Sequence, residues 1–133
     1  MGTTTFSGPV RSENGFNDIT KSATGTITTN AVYGKSIRGV VQQLSGAVAV
    51  DTDNLITELT TTGANALTLA DGTTSGQVKI ITMIVDGGDG TLTPTTFANG
   101  STVTFDAVAE SVTLVWNSAI GWVATSVQGA TIA

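Results

Sequence analysis

Apolar residues run almost without interruption through Gln77–Asp86 (QVKIITMIVD), where valine and isoleucine occupy both parities of an extended chain. A strand here offers apolar side chains to two faces, the pattern of a central strand covered on both sides. At about 3.3 Å per residue it extends roughly 33 Å, enough to cross a small domain. It stops at Asp86-Gly87-Gly88-Asp89-Gly90, a run suited to reversing the backbone.

Shorter apolar runs surround it. Ala47–Val50 and Leu55–Leu59 flank Asp51-Thr52-Asp53-Asn54, and Ala66–Leu69 leads into Asp71-Gly72. Beyond the glycine turn come Thr91–Thr93, stopped by Pro94, and Ser101–Phe105. The clearest hairpin is Val112–Trp116, a turn at Asn117-Ser118-Ala119, and Gly121–Val127, with Trp116 and Trp122 placed to pair across it. Short strands separated by turn signals, with no helices long enough for a parallel α/β sheet, predict an all-β body over residues 46–133. A compact antiparallel sandwich, a jelly roll or a small barrel all fit.

Residues 1–45 read differently. From Thr3 to Asn30 the bulky apolar residues are Phe6, Val10, Phe16, Ile19 and Ile27, too irregular for either helical or strand periodicity. Such a segment cannot bury enough surface to offset its ordering entropy alone. It nevertheless holds half of the four phenylalanines, so it is expected to be an extended N-terminal arm that orders against another surface. A first strand of the body is the alternative. In Lys35–Leu44, Ile37, Val40, Val41 and Leu44 have helical spacing, but Gly34, Gly39 and Gly46 oppose a helix, and the stretch is read as extended.

Charge sharpens the division. Residues 1–38 carry Arg11, Lys21, Lys35 and Arg38 against two acids, whereas residues 39–133 carry Lys79 against eight acids. An acidic body without a basic, aromatic-interleaved patch predicts no nucleic-acid partner. Charged residues make up only 11%, against about 25% in an average domain, which suits a surface partly covered by neighbours. No apolar run approaches the roughly 20 residues of a membrane-spanning helix, and no membrane partner is expected. Met1–Phe6 has neither the basic region nor the apolar run of a signal peptide, so synthesis in a cytoplasm without export is expected.

Candidate chemistry is sparse. The chain has no cysteine for thiolate chemistry and no histidine for the commonest general base. Gly34-Lys35-Ser36 resembles the end of a phosphate-binding loop, but Thr29 stands where the upstream glycine belongs, and no cofactor is expected. Asp51 with Asp53 and Asp86 with Asp89 are the acidic clusters to test for calcium, although turn chemistry accounts for them and no metal is expected. No serine lies in a G-x-S-x-G or S-x-x-K context, so the chain is read as no enzyme. Asn99-Gly100-Ser101 matches a glycosylation sequon and is read as a turn. The two tryptophans are the sole argument for carbohydrate binding, and a core hairpin pair accounts for them better.

Two stretches resemble known proteins. Thr4-Thr5-Phe6-Ser7-Gly8-Pro9-Val10-Arg11-Ser12-Glu13-Asn14-Gly15-Phe16 resembles a leader found among small structural proteins of tailed bacteriophages. Leu69–Lys79 and the strand after it, with Thr102–Asp106, Val112–Trp116 and Trp122-Val123, are similar to the β-domain of phage capsid decoration (cement) proteins and of some phage fibres. The resemblance implies a non-enzymatic virion protein on the outer surface of the capsid. It further implies a homotrimer that clamps adjacent major capsid protein subunits. The residues expected to contact capsid or subunit are Phe6, Pro9, Val10, Arg11, Phe16, Lys21, Lys35 and Arg38. A phage head or tail fibre, or a receptor-binding module, is the alternative; the absence of heptads and of a fixed-period repeat argues for the compact capsid piece.

Overall fold

A computed structural model of the chain describes residues 17–21, 27–32 and 39–133. Residues 1–38 and 39–133 form two units. In the first, β1 (Asn17–Lys21) and β2 (Ile27–Val32) pair antiparallel, with a bulge between Asp18 and Ile19. The stretch read as an arm therefore contains a two-stranded sheet.

The second unit is all-β, with no helix among the described residues. Its strands are β3 (Val41–Ser45), β4 (Ala49–Val50), β5 (Ile56–Thr60), β6 (Asn65–Leu69), β7 (Val78–Val85), β8 (Gly90–Pro94), β9 (Val103–Phe105), β10 (Ser111–Asn117), β11 (Gly121–Gln128) and β12 (Thr131–Ile132). They make two five-stranded sheets, in the order β11-β10-β7-β5-β3 for the first and β12-β9-β8-β6-β4 for the second. β3, which lies in the stretch read as arm and linker, thus belongs to the body.

The all-β class is as expected, but the sandwich is mixed and not wholly antiparallel. β3, β5 and β7 run parallel in the first sheet, and β4, β6 and β8 run parallel in the second. From β3 to β8 each link carries the chain across to the other sheet, so neighbours among these strands are two apart in sequence. Parallel neighbours require a long crossover; here the crossover is a strand of the opposite sheet. The result is a stack of three rungs, β3–β4, β5–β6 and β7–β8. Antiparallel strands complete it, β10 and β11 beside β7, β9 and β12 beside β8. Neither sheet closes into a barrel.

One core lies between the sheets. From the first come Leu44, Leu59, Ile81, Met83, Val112, Leu114, Trp116 and Trp122; from the second come Val50, Leu67, Leu69, Leu92, Val103 and Phe105. Full burial of a side chain of this size contributes about 1.5–3 kcal/mol. Leu44, Leu59 and Met83 occupy one position of successive rungs and stack as a ladder. Thr57 Oγ1 donates to Gln42 Oε1 at 2.9 Å, satisfying a buried hydroxyl between two rungs.

The predicted tryptophan hairpin is present. Trp116 faces Trp122 across β10 and β11, their rings edge to face with centroids 5.4 Å apart, an arrangement worth about 0.5–1.5 kcal/mol beyond burial. Trp122 is fully buried and donates from Nε1 to Ala70 O at 2.9 Å. These indoles are core, not an exposed sugar platform. Gly121 takes φ +94° at the hairpin's return, a conformation that L side chains avoid.

Candidate interaction surface

Among the described residues no group of three or more metal-ligating side chains forms, and no pocket opens. The acidic loops do turn chemistry. Asp51 Oδ1 accepts from the Asp53 amide at 2.9 Å and Oδ2 from Asn54 Nδ2 at 2.7 Å. Asp86 Oδ1 accepts from the Gly88 amide at 2.9 Å. Asp106 is raised above the usual carboxylate range, first by the charge of Glu110 and then by a hydrogen bond with it.

Lys79, the one cation of the body, points inward from β7 and is fully buried. Its ammonium donates to Asp51 O at 2.7 Å and to Asn54 O at 2.6 Å, so it pins the loop between the first and second rungs. Gln77 Nε2 holds the same loop through Thr52 O at 2.6 Å. Burial pushes the lysine down to about 8, against the opposing pull of the Asp51 carboxylate. With Lys79 inside, no cation of residues 39–133 balances their eight acids at the surface.

The outer face of the first sheet is the least expected feature. β7 turns Lys79, Ile81 and Met83 into the core, leaving Val78, Ile80 and Thr82 half-buried on the opposite side. The expectation of a strand covered on both faces is therefore corrected: within residues 39–133 only the inner face is covered. Register places Val41, Ile56 and Ile80 in one outward row, which ends in Thr113 and Ser126, and Val78, Val115 and Val123 in the next. The row on the other side is polar, Gln43, Glu58, Thr82 and Ser111, with Gln43 Nε2 donating to Glu58 Oε2. Half of this face is thus a branched apolar patch without a charge.

The second sheet's outer face has the same geometry and different chemistry. Its paired outward positions are Thr131, Thr104, Thr91 and Ala66 in one row, Thr93, Thr68 and Ala49 in another. No hydroxyl can enter a dry interface unpaired without cost, so these threonines suit water.

Of the contact residues expected from sequence, Phe6, Pro9, Val10, Arg11, Phe16, Lys35 and Arg38 lie outside the described residues. Lys21 ends β1, opposite Ile27. The apolar patch was not among them, although its signal was the double parity of β7. Neither a family model nor a curated protein matches the chain.

Proposed function

We propose that this protein is a non-enzymatic structural component of a bacteriophage virion that decorates the outside of the capsid. In this reading the body self-associates, as a homotrimer, through the apolar half of the first sheet's outer face, while the leader lies on adjacent major capsid protein subunits. The observation that carries it is the uncharged patch of Val41, Ile56, Ile80, Val78, Val115 and Val123, because a branched apolar sheet face gains most from a protein neighbour. The resemblance of Thr4–Phe16 to phage virion leaders supports the location. A leader with four cations, followed by an acidic body, favours two distinct contacts. Many weak identical contacts add along a lattice, so no single one needs to be tight.

Co-sedimentation with capsids tests the proposal. The full chain is expected to pellet with capsids, and a variant lacking residues 1–30 to stay in the supernatant with its β-rich circular dichroism intact. Equal binding by both would sink the leader's role. The fibre alternative is favoured by one feature, the three-rung parallel stack, and sedimentation with tails rather than heads would select it.

A further inference from the structure

The three-rung stack is extended by further strands at one end only. Beyond the third rung, β10 and β11 extend the first sheet and β9 and β12 the second. Before the first rung, within residues 39–133, nothing does: β3 pairs with β5 alone and β4 with β6 alone. Each sheet therefore ends in an open row of backbone donors and acceptors. Natural sheets protect such edges with Lys, Glu or Pro. The segment Gly39–Val50 contains neither a charge nor a proline, and Val40, Val41 and Val48 on it are 68%, 42% and 47% exposed.

We propose that the first rung is a two-fold contact, at which a second copy of this chain joins its own β3 and β4 edges end to end with these. Symmetry allows both edges to be satisfied together. A two-fold axis normal to the sheets inverts the second copy and sets β3 against β3 and β4 against β4, each antiparallel, so that each sheet continues through the pair. Charge and side-chain chemistry together select the place. The body carries eight acids and buries its one lysine, so two copies repel across most approaches; the first rung and the opposite edges β11 and β12 are uncharged, but β11 exposes Thr125, Ser126 and Gln128 whereas the first rung exposes Val40, Val41 and Val48. Exposed valines on both copies become mutually covered.

The size of the contact fixes its strength. Five-residue strands about 17 Å long, on sheets about 10 Å apart, give an end face of a few hundred Å² per copy. That lies below the roughly 800 Å² per partner of a standard interface, so the pair is weak and concentration-dependent. It uses the β3 and β4 edges rather than the outer face of the capsid-decoration reading; Val41 alone belongs to both, so the contact is tested at edge residues outside that face.

Sedimentation velocity of the full chain over a wide concentration range is the test. The wild type and a control, Val108→Lys, are expected to gain mass by a factor of two as concentration rises, while Val40→Lys with Val48→Lys does not, at unchanged melting temperature. Because the chain has no cysteine, Gln43→Cys gives an independent readout, with oxidation expected to link it into dimers and Val108→Cys to remain unlinked. Equal linking at both positions, or twofold association that survives the paired lysines, overturns the proposal. So does a wild type that stays monomeric while its β3 and β4 amides resist hydrogen exchange, since another segment of the same chain then covers the edge.

Discussion

The two outer faces of the body are built alike and finished differently. Both belong to five-stranded sheets whose inner faces share one core. The first presents valine and isoleucine in adjacent rows, and the second presents threonine and alanine. β-branched side chains serve a strand equally well whether they end in methyl or hydroxyl, so strand formation does not explain the choice. Solvation does: threonine satisfies the backbone's preference and keeps contact with water, whereas valine and isoleucine gain only from being covered. The contrast is what supports the proposal that the first sheet meets a neighbour, whereas the second sheet's hydroxyls suit solvent.

The largest effect is expected from removing what the two faces share. Trp122→Ala empties a fully buried site beneath the hairpin and strands Ala70 O, and a loss of about 3–5 kcal/mol is expected from urea denaturation. Ile80→Lys with Val115→Lys then separates the faces. This pair is expected to weaken self-association by about 100-fold, some 2.7 kcal/mol, whereas Thr68→Lys with Thr93→Lys leaves it unchanged. Equal losses from both pairs would show that the faces are not distinct.

Lys79, whose neighbours Val78 and Ile80 point outward, gives a pH test of the buried side of the same strand. Its native value of about 8 lies below the roughly 10.4 of an unfolded lysine. Between these values the unfolded chain binds more protons, so stability rises as pH rises from about 8 to about 10.4. A gain on the order of 1–2 kcal/mol is expected in melting experiments, and Lys79→Met should flatten it. The smallest effect is Thr93→Val on the second face, within about 0.5 kcal/mol and without a change in mass; a marked gain in self-association would mean that hydroxyls alone keep that face bare.

Much of the strand content was legible. The hairpin of Trp116 and Trp122 was readable because its signals are local, a turn of polar residues between two alternating runs. β7 was readable as central because of its length and apolar content, and it lies in the middle of its sheet. Its second covered face was not, because parity reports which side chains share a face and not whether anything lies upon it. The rungs leave no periodic signal because Val41, Ile56 and Ile80, equivalent in the stack, lie 15 and 24 residues apart. Unequal return loops erase a repeat that the backbone still makes. The apolar patch draws on β3, β5, β7, β10 and β11, so no window of sequence contains it.

By itself the sequence determined the all-β class, the absence of thiol and imidazole chemistry, the divide between a basic leader and an acidic body, and the tryptophan hairpin. These follow from composition and from contacts between near neighbours. Only the tertiary structure decided that the strands from β3 to β8 alternate between sheets, that Lys79 lies inside against two carbonyls, and that half of one outer face is apolar while the other is lined with threonine. Those depend on which distant strands become neighbours, and short links permit a hairpin and a crossing to the opposite sheet alike. The choice was made by the shared core that only the completed stack encloses.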